Sequence, residues 1–175
     1  MIKYYYKKTA KLSPAEQSEA AYSLLKEKLA EFYNVDTAEI SFFKDDKGCP
    51  FVKGIDGVFV SVTHTNGLVA CAFASNRVGI DAEMISARRK SVEKRVFSDN
   101  EISLINKSTD ADTAFFTLWT LKESYLKAIG TGFADNAKTV EFFGIENLII
   151  SNAENHFFLS NIVDGYVISV CEKTD

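Results

Sequence analysis

A chain of 175 residues, 46% hydrophobic and 25% charged, has the make-up of one globular domain or of two small units sharing a core. Its formal net charge of −4 excludes a global basic field for nucleic acid or anionic membrane, so an anionic substrate needs a local cationic site. The three cysteines are too scattered for a disulfide framework or paired metal ligands, and no stretch reaches the ~20 apolar residues of a membrane span or a signal-peptide core; a cytoplasmic protein is expected.

Residues 2–6 are aromatic and read as a short strand. Ser13-Pro14 reads as a helix N-cap with proline at the first helical position, and Ala21, Leu24, Leu25, Leu29, Phe32 and Tyr33 recur at helical spacing up to a stop at Asn34. Residues 39–43 form the next strand, followed by the turn KDDKGCP. Three strands are expected in succession over 58–62, 68–74 and 78–82, as an antiparallel meander. The charged segment 91–108 is helical in pattern, with Ser98 as N-cap and Glu101 at the capping-box position. The strongest helix runs over 110–129 and stops at Gly130. Strand candidates follow near 138–143, 148–151, 156–160 and 166–171. This order predicts an α+β fold with mainly antiparallel sheets.

Three segments carry chemistry. In Gly79-Ile80-Asp81-Ala82-Glu83, a strand puts both carboxylates on one face. Such a pair is stable when solvated, when sharing a proton, or when holding a cation. In the helix, Trp119, Glu123 and Lys127 fall at i, i+4 and i+8. The plain reading is a buried tryptophan with a surface Glu–Lys pair; the sharper one sets Glu123 beside Asp81 and Glu83 as three oxygen donors for a hard cation such as Mg²⁺. Ser61-Val62-Thr63-His64-Thr65-Asn66 offers hydroxyls and an imidazole in a strand-to-turn segment, either an anion cradle or a capped turn with a surface histidine.

Read together as SVTHTNG, GIDAE and WTLKESYLKAIG, with RVFSDNE between the last two, these segments resemble the signatures of the phosphopantetheinyl transferases from about residue 47 to 133. The likeness is to the single-chain, surfactin-synthetase-activating type, with a short N-terminal half. That resemblance implies two similar α+β halves packed as a pseudo-dimer, here 1–76 and 77–175, with coenzyme A in the cleft between them and the metal site in the second half. It implies transfer of the 4′-phosphopantetheine group from coenzyme A to a serine of an apo acyl- or peptidyl-carrier protein, by a monomer. Asp81, Glu83 and Glu123 would hold Mg²⁺. Glu123 would take the serine proton and Lys127 would offset charge on the diphosphate. Thr63 and His64 would bind the 3′-phosphate, with Lys122, Lys47 and Gly48 also on coenzyme A.

Two departures from the family's pattern stand out. Cys49 occupies the place of a lysine between Gly48 and Pro50, leaving Lys47 or Lys44 as substitutes, and Gln17 stands about where an arginine is usual. They motivate an alternative, a catalytically weakened homologue that still binds carrier protein. The basic run Arg88-Arg89-Lys90 with Lys94 and Arg95 suits an acidic carrier, and Phe97 is either an apolar anchor there or a core residue.

Overall fold

The computed structural model describes residues 1–46, 48–131, 137–145 and 148–174. The order is β1 (Lys3–Lys8), α1 (Pro14–Tyr33), a 3-10 turn (Thr37–Glu39), β2 (Ser41–Lys44), β3 (Pro50–Lys53), β4 (Phe59–Thr65), β5 (Leu68–Ala74) and β6 (Val78–Met84). Then follow α2 (Lys90–Val96), α3 (Asp99–Lys107), α4 (Ala111–Ile129), β7 (Phe142–Gly144), β8 (Ile150–Ser151), β9 (His156–Val163) and β10 (Tyr166–Lys173). The fold is α+β, with antiparallel pairing throughout the described ladders.

Local chemistry sets the helix ends. Ser13 caps α1 in a capping box with Glu16, and Asn34 closes it in the left-handed region at φ 54°. Ser98 and Glu101 form a second capping box that splits the expected 91–108 helix into α2 and α3. Asp110 caps α4 and Gly130 ends it at φ 71°.

The expected meander is not formed. β4 and β5 do pair as a hairpin, but β1 takes the other edge of β5, giving the sheet order β1-β5-β4-β3-β2. With both edges of β5 used, β6 crosses into a second sheet of order β6-β10-β9. β3 was missed by sequence reading because its four residues directly follow the turn and begin with proline.

Four layers result. α1 lies on β4 and β5, the two sheets face each other, and α4 covers β6 and β10. Between the sheets lie Leu68, Ala70, Ala72 and Ala74 of β5 with Val78, Ile80, Ala82, Ile168 and Val170. The alanines let the sheets approach closely, and each buried side chain contributes through apolar area at roughly 25 cal/mol per Å². The strands of the first sheet all precede residue 75 and those of the second all follow residue 77.

Candidate active site

β6 is an edge strand, and its open side lies against β4. Period-two alternation puts Ser61, Thr63 and Thr65 of β4 on one face. The Ser61 hydroxyl accepts from the Ile80 N–H at 3.1 Å, Thr63 Oγ1 donates to Asp81 Oδ1 at 3.0 Å, and Thr65 Oγ1 reaches Glu83 Oε2 at 3.4 Å. This hydroxyl ladder fixes the carboxylates of the GIDAE segment from one side.

α4 approaches from the other side, and Gly79 permits it. A Cβ at Gly79 would collide with the Ser124 carbonyl oxygen and lie 2.6 Å from the Ala128 nitrogen. The close contact brings Lys127 to β6, where Nζ donates to the Ile80 carbonyl at 2.9 Å and to Asp81 Oδ1 at 2.7 Å. Two of the three ammonium donors are thereby used. Asp81 is only 6% exposed, and its second oxygen, Oδ2, is buried with no hydrogen-bond partner.

The electrostatics match a cluster short of positive charge. Burial first, then the charge of Asp81, pushes the Glu123 carboxyl up to about 7, against the pull of Lys127. Burial and then Asp81 also raise Glu83. Three carboxylates face one ammonium. Among the described residues, no group of three or more His, Cys, Asp or Glu side chains already stands in metal-holding geometry: Lys127 and Thr63 both engage Asp81 Oδ1, and Glu83 leans to Thr65. The orphaned Oδ2 and the raised Glu123 and Glu83 nevertheless fit a hard divalent cation, which takes carboxylate oxygens and lowers carboxyl pKa values.

A cleft of about 500 Å³ opens over this cluster. Thr63, His64, Gly48, Asp81, Glu123 and Lys127 all line it, so most of the expected site residues come together. Glu83 borders the cluster but is not part of the cleft wall. His64 is held through Nδ1 by Gln17 Oε1 at 3.1 Å, and Gln17 is tied by its amide to the Leu12 carbonyl at 3.0 Å. Burial, then Lys127, lowers the imidazole pKa. Trp119 of the expected stripe stacks on Phe115, away from the cleft, with ring centroids 6.0 Å apart.

Lys122 is not brought to the cleft. It is fully buried, with Nζ 2.8 Å from Glu101 Oε1 and bonded to the carbonyls of Ala137 and Val140. Glu123, the next residue, lines the cleft, but α4 turns about 100° per residue, and that rotation carries Lys122 to the core side of the helix with Leu121. Phe97 likewise lies in the core, 1% exposed and edge-on to Phe115. Arg88 is half-buried against Asn106, Asp112 and Glu93, whereas Arg89, Lys90, Lys94 and Arg95 are exposed. Lys47 lies outside the described residues.

Arg77, in the turn between β5 and β6, also lines the cleft; no spacing in the sequence links it to the three motifs.

Residues 77–171 match the family model of the 4′-phosphopantetheinyl transferase superfamily. The chain is 37% identical over 111 residues to the 4′-phosphopantetheinyl transferase gsp of Aneurinibacillus migulanus, covering 62% of this chain and 46% of that protein. It is 32% identical over 113 residues to the 4′-phosphopantetheinyl transferase Sfp of Bacillus subtilis strain 168, covering 63% and 50%. To the 4′-phosphopantetheinyl transferase ffp of Bacillus subtilis it is 28% identical over 156 residues, covering 85% and 70%. The chain thus spans about half the length of the first two relatives.

Proposed function

Because the chain belongs to the 4′-phosphopantetheinyl transferase superfamily, we propose that it transfers the phosphopantetheine arm of coenzyme A to a serine hydroxyl of an apo acyl- or peptidyl-carrier protein and releases 3′,5′-ADP. The observation that carries this reading is Asp81 Oδ2, buried and unpartnered on the wall of a cleft that also holds Glu123 and Lys127. A purely structural Asp–Lys pair would not leave a buried carboxylate oxygen unsatisfied beside two further carboxylates.

Asp81, Glu83 and Glu123 are the residues that would hold Mg²⁺. When bound there, the cation neutralises charge on the diphosphate. The remaining work falls to side chains. The Glu123 carboxylate takes the proton of the carrier serine, directly or through water, as the serine oxygen forms its bond to the β-phosphorus. Lys127 has one donor left after Ile80 and Asp81, and it offsets the charge that collects on the departing 3′,5′-ADP. At 4 Å, a unit charge contributes about 4 kcal/mol at an effective dielectric near 20. His64 donates Nδ1–H to Gln17 Oε1, so it binds a phosphate of coenzyme A as the imidazolium, donating Nε2–H, and the phosphate's charge favours that protonated form. The Thr63 hydroxyl is committed to Asp81, so Thr63 acts by fixing that carboxylate.

We take residues 1–76 and 77–175 as the two halves of this unit, working as a cytoplasmic monomer. The exposed cations Arg89, Lys90, Lys94 and Arg95 follow β6 directly and suit an acidic carrier.

Intact mass spectrometry of an apo carrier protein incubated with this chain, coenzyme A and Mg²⁺ tests the reading. A phosphopantetheinyl increment that disappears with EDTA and with Glu123→Gln is expected. A folded protein that binds a carrier yet never modifies one, across several acyl- and peptidyl-carriers, would favour the weakened homologue.

A further inference from the structure

The hydroxyls of β4 and the carboxylates of β6 meet in register. Thr63 Oγ1 donates to Asp81 Oδ1 at 3.0 Å, and Thr65 Oγ1 to Glu83 Oε2 at 3.4 Å. Each pair is 18 residues apart in the chain, so a step of two along β4 matches a step of two along β6. The two strands therefore run the same way past each other, and a row of hydroxyls faces a row of carboxylates. The register is locked at its start, where the Ile80 N–H donates to Ser61 Oγ at 3.1 Å.

This pairing takes one oxygen from each carboxylate. Asp81 Oδ1 accepts from both Thr63 and Lys127, while Oδ2 is buried without a partner. Glu83 Oε2 accepts from Thr65, and among the described residues Oε1 has no hydrogen-bond donor. Divalent cations differ in what they ask of a carboxylate. Ca²⁺ takes about six to eight oxygens, often both from one carboxylate, whereas Mg²⁺ takes about six in a tight octahedron and leaves several to water or substrate phosphate.

We propose that Thr65, with Thr63, is a specificity-determining residue for the cation: each hydroxyl keeps its carboxylate to a single free oxygen, which favours Mg²⁺ over Ca²⁺. The proposal rests on the cation reading above and concerns which ion is chosen. Both threonines act through the carboxylates, as positioning residues. Asp81 and Glu83 then give one oxygen each and Glu123 at most two, which falls short of a Ca²⁺ shell. Hydroxyls that served only to satisfy buried carboxylates would, on removal, weaken both ions alike. Thr65 is the more diagnostic of the two, because Thr63 lines the cleft and Thr65 does not.

Calorimetric titration of the full chain with MgCl₂ and with CaCl₂, with and without coenzyme A and in the absence of any carrier protein, provides the test. The unmodified protein is expected to bind Mg²⁺ more tightly. Thr65→Val should reduce the Mg²⁺-to-Ca²⁺ affinity ratio about fivefold, as for the loss of one ordinary hydrogen bond. Thr63→Val added to it should reduce the ratio further. Thr65→Ser keeps the hydroxyl and should hold the ratio within about twofold. Thermal melts in EDTA check that each variant is folded, and Thr65→Ala replaces Thr65→Val where the latter is not. An unchanged ratio in both the single and the double valine variant, a preference lost in Thr65→Ser, or an unmodified protein that binds Ca²⁺ as tightly as Mg²⁺ overturns the selectivity assignment and leaves the cation reading standing. An unmodified protein that binds neither ion, with or without coenzyme A, overturns both.

Discussion

Lys127 and Asp81 join the two elements that make the site: Nζ on α4 lies 2.7 Å from Oδ1 on β6. The same carboxylate keeps its other oxygen buried and unpartnered. One ammonium therefore engages one oxygen of Asp81 and leaves the other, which the proposed cation would take.

Replacing Lys127 separates charge from packing. Lys127→Met keeps the stem and removes the ammonium. Transfer to a carrier, read by intact mass, should fall by orders of magnitude, since charge contacts of this kind contribute about 4 kcal/mol each. The Glu123 pKa should rise further, because Lys127 lowers it; infrared or NMR titration of the carboxyl reads this directly. An unchanged Glu123 titration would show that Lys127 does not act on the cluster.

The raised Glu123 carboxyl gives a pH signature in the cation-free protein. Its folded pKa of about 7 lies above the ordinary carboxyl value of 4.5, so the folded state holds the proton more tightly than the unfolded chain. Stability from this group is fully present below pH 4.5 and is lost as pH rises through about 7. Glu123→Gln should flatten that decline. Added Mg²⁺ should raise the melting temperature more at pH 8 than at pH 6, because protons and cation compete for the carboxylate. Thermal melts with and without EDTA check both.

Lys122 and Glu101 form a buried pair that holds α4, α3 and the chain before β7 together, since Glu101 also accepts from the Phe142 N–H at 3.0 Å. Glu101→Ala strands a buried ammonium and should cost about 3–5 kcal/mol by urea denaturation. Lys122→Met combined with Glu101→Leu should recover much of that loss. Coenzyme A affinity of the double variant should stay near that of the parent, because Lys122 does not reach the cleft.

Gly79 sets the distance between α4 and β6. Gly79→Ala should destabilise the fold by more than an ordinary surface change, since the added carbon meets the backbone of α4 at Ser124 and Ala128. In the folded fraction, transfer should fall while far-UV circular dichroism is retained. A variant with full activity would show that the site tolerates a displaced helix.

Much of this protein is determined by local chemistry, and so was legible in the chain. The Ser13 and Ser98 caps and the stops at Asn34 and Gly130 depend on neighbouring residues only, and the apolar run Leu68–Ala74 marks its own strand. The three signature segments named the carboxylates, His64 and Lys127 because each segment keeps its residues at fixed spacing on one strand or helix. What sequence could not decide was which elements meet. β6 left the expected meander because β1, some sixty residues earlier in the chain, takes the free edge of β5. Lys122 was assigned to substrate and lies in the core, because rotation about α4 turns it toward Glu101 while Glu123 faces β6. Arg77 gained a place in the cleft from the approach of Gly130 and Cys49, three positions far apart in sequence. Spacing along the chain sets the face a residue occupies, and only the packing of one layer on another sets what that face meets.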